Sequence, residues 1–128
     1  MKLPFEKNQR MRVARAAGSA VADMRARAGM TQENVAEALG VGTDAVSRME
    51  RGVIELGVVR LVEFAELFGC GVAELLIPAS ERPADQAAVI AAELADLSAK
   101  DRAGVVAMVK QLAEMLRGKP GSGPAEEG

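Results

Sequence analysis

Thr43, Asp44, Ser47 and Arg48 recur at helical spacing, so a short helix would carry two hydroxyls, a carboxylate and a guanidinium on one exposed face. Such a face can exchange hydrogen bonds with a polar surface. The groups needed for covalent or metal chemistry are missing from the chain. There is no His and a single Cys, Cys70, which leaves neither a metal-ligand set nor a thiolate–imidazole pair. No Gly-rich phosphate cradle occurs, no nucleophile stands with a matching base, and the acidic residues fall on faces that read as solvated. The sequence therefore offers recognition and not catalysis: no enzyme, no metal and no cofactor is expected.

These side chains need a rigid support, and residues 31–52, TQENVAEALGVGTDAVSRMERG, supply two short helices joined by a tight turn. Thr31 can cap the first helix by accepting a hydrogen bond from an otherwise unpaired N–H. Val35, Ala36 and Leu39 form its inner face. Gly40 ends it, because so sharp a turn favours a residue that tolerates positive φ. Val41 plugs the corner. The second helix restarts at Gly42 or Thr43 with Val46 and Met49 turned inward, and the small Ala36 lets the two helices approach closely.

Gln32, Ala36, Gly40, Val46 and the closing Glu50-Arg51-Gly52 stand in one register that resembles the phage repressor and Cro (XRE) family of helix-turn-helix DNA-binding domains, from about Gly18 to Leu76. The resemblance implies an all-α fold, a five-helix repressor-like domain, and double-stranded DNA as partner. It matches Thr43, Asp44, Ser47 and Arg48 to positions that reach base edges: Arg48 can bond guanine twice, Asp44 can accept from cytosine, and Thr43 can touch a thymine methyl or a phosphate. It implies that Gln32 donates to a backbone phosphate, with Arg51 and Arg60 as further phosphate candidates. It also implies an ion pair between Arg25 and Glu50 that locks the first helix to the reading helix. After Gly52 the chain departs from the family pattern: Val53, Ile54, Glu55 and Leu56 replace a basic or polar loop. The three apolar residues are expected to tuck under the fourth helix, the alternative being a protein contact surface.

The 128 residues suffice for one ordinary domain or a small domain with an appendage. Hydrophobic residues make up 49% but aromatics only 2%, so the core must be aliphatic, which suits helices. Net charge is −2, yet residues 1–60 hold ten Lys/Arg against seven Asp/Glu and the remainder six against eleven. A positive half beside a negative one points to an anionic partner for the first. One Cys fits a reducing cytoplasm, and no apolar run approaches membrane-spanning length.

Taken in order, residues 1–17 form a basic arm with Lys2, Lys7, Arg10, Arg12 and Arg15 against Glu6 alone. Either it touches DNA phosphates or the minor groove, or it is a solvated, fraying terminus; a helix can begin anywhere from Glu6 to Gly18. The DNA-binding domain occupies 18–77. Its first helix presents Val21, Met24 and Ala28 inward and stops at Gly29. Its fourth helix, 57–68, presents Val58, Leu61, Val62, Ala65 and Phe68. Cys70 reads as buried packing, and a short fifth helix runs from Val72 to Ile77.

Residues 78–84, PASERPA, read as a linker, and 85–117 as a two-helix hairpin. Its apolar faces, Ile90, Leu94 and Leu97 on one helix and Val105, Val109, Leu112 and Leu116 on the other, are too broad for a free hairpin. They are expected to pair with the same hairpin of a second chain. Folding back on the chain's own domain or binding another protein are the alternatives. Residues 118–128 are expected to be disordered. The function implied is a homodimeric repressor on a palindromic operator; the second reading is an antitoxin-like protein-binding module with autoregulatory DNA binding.

Overall fold

The computed structural model describes residues 2–118. The described chain is all-helical: α1 (Lys7–Arg27), α2 (Gln32–Leu39), α3 (Thr43–Glu50), α4 (Val58–Phe68), α5 (Val72–Leu76), a 3-10 turn at Ile77–Ala79, α6 (Pro83–Leu94) and α7 (Ala99–Gly118). Five helices and then two is the order the sequence predicts.

α1 runs without a break through Gly18, so most of the basic arm is the first half of a 21-residue helix. Its start is fixed at Glu6, whose N–H donates to Gln9 Oε1 at 3.1 Å. Ala-rich sequence sustains it. Gly18 has a packing reason: a β-carbon there would lie 2.5 Å from the carbonyl oxygens of both Met49 and Glu50. Gly52 mirrors it from the other side, since its own β-carbon would fall 2.5 Å from the Cα of Arg15. The two glycines let α1 and the end of α3 meet backbone to backbone.

The turn between α2 and α3 follows from local chemistry. Thr31 and Asn34 cap α2 reciprocally: Asn34 N–H donates to Thr31 Oγ1 at 3.0 Å and Thr31 N–H to Asn34 Oδ1 at 2.9 Å. Gly40 takes φ +71° at the far end. Val21, Val35, Val46, Phe64 and Leu75 are fully buried at the centre, with Ala36, Met49, Leu61 and Ala65 around them.

Three expected apolar faces are corrected. Ala28, expected inward on the first helix, is the exposed residue that caps the end of α1. On α4 the buried residues are Leu61, Phe64 and Ala65, whereas Val58 and Val62 are exposed. Nearly every side of this helix is apolar, so periodicity could not choose, and burying a whole phenyl ring removes the larger area from water. Phe68 stacks on Phe64 with ring centroids 5.6 Å apart. In the loop after α3 only Leu56 tucks against the core; Val53 and Ile54 face solvent.

The segment 78–84 holds the end of the 3-10 turn and the start of α6. Arg12 Nε donates to Glu81 Oε1 at 3.0 Å and Ser80 Oγ donates to Asp85 Oδ2 at 2.6 Å. The division into two compact units falls later, between Val89 and Ile90. Beyond it α7 starts after Ser98, whose Oγ accepts the Asp101 N–H at 3.1 Å. Neither α6 nor α7 has a fully buried residue. Leu94, Leu97 and Val105 are half-buried, and Ile90, Val109, Leu112 and Leu116 are exposed. Of the tail expected at 118–128, Gly118 closes α7 and the rest lies outside the described residues.

Candidate nucleic-acid interface

α3 is eight residues long and turns its two sides to different tasks. Val46 and Met49 anchor it in the core, leaving Thr43, Asp44 and Arg48 exposed and Ser47 half-buried on the other side. Among the described residues the Arg48 side chain has no hydrogen-bond or ion-pair partner, so its five N–H donors are available. Arg51, one residue beyond the helix, donates through Nε to Ser47 Oγ at 3.3 Å.

The position of α3 is set by a polar cluster around Glu50, the last residue of the helix. Arg25 Nε donates to Glu50 Oε2 at 2.6 Å and Nη2 to Oε1 at 3.2 Å, while Nη1 donates to the Met30 carbonyl at 2.9 Å. Gln32 Nε2 adds a third donation to the carboxylate, at 2.9 Å to Oε1. The side chains of Arg25 and Glu50 are 20% and 6% exposed, so the pair is largely desolvated and its geometry is held by several charge-assisted bonds. No buried side-chain polar atom among the described residues lacks a partner. One carboxylate thereby ties α1, the α1–α2 turn, α2 and α3 together.

Gln32, expected to face a phosphate, is half-buried with one amide hydrogen directed at Glu50. An amide nitrogen carries two, so a second remains for an outside acceptor. Arg60, also a phosphate candidate, is half-buried on the first turn of α4 and donates to Glu63 Oε1 at 3.1 Å. What sequence reasoning missed is the close-packing role of Gly18 and Gly52 and the pairing of Arg10 with Glu55. Arg10 donates to both carboxylate oxygens of Glu55, at 2.7 and 2.6 Å, and joins α1 to the loop after α3. A run of small residues, Ala16-Ala17-Gly18-Ser19-Ala20, was the available signal for close helix approach.

Cys70 lies half-buried beside the core, where burial first and Glu74 second push its thiol above the ordinary value. Among the described residues no group of His, Cys, Asp and Glu could hold a metal ion, and no helix is long and apolar enough to cross a membrane.

The helix-turn-helix family model matches residues 21–75, from the middle of α1 to α5. Two crystal structures of the clp gene regulator ClgR from Corynebacterium glutamicum are similar to this chain. In one, identity is 34% over 52% of this chain and 87% of that chain, with a TM-score of 0.50. In the other, identity is 32% over 73% of this chain and 89% of that chain, again with a TM-score of 0.50. No curated protein matches.

Proposed function

Because the chain belongs to the XRE-type helix-turn-helix family, we propose that it is a sequence-specific DNA-binding transcriptional regulator, a cytoplasmic homodimer that represses by occupying a palindromic operator. The observation that carries this reading is the unpartnered Arg48 beside Thr43, Asp44 and Ser47 on a helix braced at its base by Arg25 and Glu50. Arg48 reads a guanine edge through two hydrogen bonds in the major groove, Asp44 accepts from a cytosine amino group, and the hydroxyls of Thr43 and Ser47 complete the set. Gln32, Arg51 and Arg60 bind the flanking phosphates and set the register. The regulatory role of ClgR named by its structures is in keeping with this assignment.

Dimerisation falls to Ile90 and Leu94 on α6, Leu97 in the turn that follows it, and Val105, Val109, Leu112 and Leu116 on α7. A symmetric pair of these hairpins would bury faces that one hairpin cannot, and would set two α3 helices about 34 Å apart on successive major grooves. Selection of bound duplexes from a random pool, at stated salt, is expected to enrich one inverted repeat. A pool left without enrichment overturns the reading.

A second reading rests on Val58 and Val59, which are 77% and 74% exposed on the DNA-binding unit itself. They favour a protein-binding module whose DNA contact serves autoregulation, and copurification of a small partner encoded beside it would decide for that role.

A further inference from the structure

Five cations precede Gly18, and the structure divides them into two groups. Lys2 bonds Glu6 at 2.6 Å, Arg10 grips Glu55, and Arg12 holds Glu81 at 3.0 Å, so each of these three has a carboxylate beside it. The side chains of Lys7 and Arg15 have no ion pair or hydrogen bond among the described residues, and both residues are exposed. They stand eight residues apart with Met11 between them, on one side of α1 and about 12 Å along its axis. That side adjoins the exit of α3: Lys7, Met11 and Ala14 line one groove with Gly52, Val53 and the Arg10–Glu55 pair, and the Arg15 backbone abuts Gly52.

We propose that Lys7 and Arg15 form a phosphate-binding rail on α1, gripping the DNA backbone alongside the groove that α3 enters. The inference rests on α3 being the reading helix and extends the interface to a helix that the family match covers only from residue 21 onward. Backbone is the ligand chemistry because two isolated cations on a helix offer charge without a paired donor and acceptor pattern, so they fix position and carry no base information. The rail is rigid because its helix is seated by backbone contact at Gly18 and Gly52, which lowers the ordering cost of each phosphate contact.

The test is the salt dependence of binding by the full chain to a short mixed-sequence duplex, between about 50 and 200 mM salt. Lys7→Ala combined with Arg15→Ala is expected to lower the slope of log K against log salt by about 1.8, since each phosphate contact contributes about 0.9. The charge-preserving pair Lys7→Arg with Arg15→Lys should keep the wild-type slope, as should Arg12→Ala, whose charge already faces Glu81. An unchanged slope in the double alanine variant overturns the rail, and so does an equal loss with Arg12→Ala. If the wild-type chain binds no duplex, the DNA-binding reading itself fails; wild-type binding with an unchanged variant slope sinks only the rail.

Discussion

Arg25 and Glu50, 25 residues apart in the chain, meet through two parallel hydrogen bonds in a nearly dry setting at the base of α3. Arg25→Ala would leave the Glu50 carboxylate buried with Gln32 as its sole side-chain donor. A loss of about 3–5 kcal/mol is expected on chemical denaturation. Glu50→Gln keeps the shape and some hydrogen bonds and should cost less; equal, negligible losses in both would show that the pair does not position the helix.

Gly52→Ala combines a left-handed backbone, φ +71°, with an overlap against Arg15. Gly40→Ala has the same φ and nothing within 4 Å of the added carbon. The first is expected to destabilise by roughly 3 kcal/mol and the second by about 1–2, from urea midpoints. Matching values would mean that α1 yields freely at this contact.

Arg48→Ala is expected to relax preference at one base pair and weaken operator binding by about 1–3 kcal/mol. Asp44→Asn removes a charge that repels phosphate, so binding to all duplexes should tighten while discrimination falls. Competition binding with single-base operator variants measures both, and uniform weakening by Arg48→Ala across every sequence would remove it from base reading.

On α7, Val109→Asp together with Leu116→Asp places two charges on the proposed subunit contact. Sedimentation velocity should then give a monomer where the wild-type chain gives a dimer. A variant that sediments as the wild type does would take these residues out of the contact.

The Cys70 thiol, raised above its ordinary value of 9.0 by burial and by Glu74, should alkylate more slowly with iodoacetamide in the folded than in the unfolded chain near pH 8. Its contribution to stability is complete below pH 9.0, the unfolded value, and fades as pH rises through the higher folded one. Equal alkylation rates would place the thiol in open water.

Much of the DNA-binding unit was legible because its local signals agree. Thr31 at a cap, Gly40 at a corner, and Val46 with Met49 on one face each had one reading. The α4 face was not legible, since VVRLVEFAELF is apolar on several sides and only the assembled core picks Phe64 over Val58 and Val62. The same limit hid the role of the first 17 residues. Charge marked them as basic, but which cations meet a carboxylate depends on Glu55 and Glu81, which lie 45 and 69 residues away from their partners. The inward bond of Gln32 to Glu50 was not legible either, since it arises only when α2 and α3 have met.

Where α1 meets Gly52 the close approach is to main-chain atoms of Ala14 and Arg15, and Arg15 itself is exposed. Position 15 is therefore a site where sequence can drift, or be designed, without repacking the domain. On the proposed rail, exchanging Arg15 for a neutral or acidic residue is expected to act as a graded control on how strongly the protein holds to any stretch of DNA, leaving its choice among sequences to the proposed reading helix.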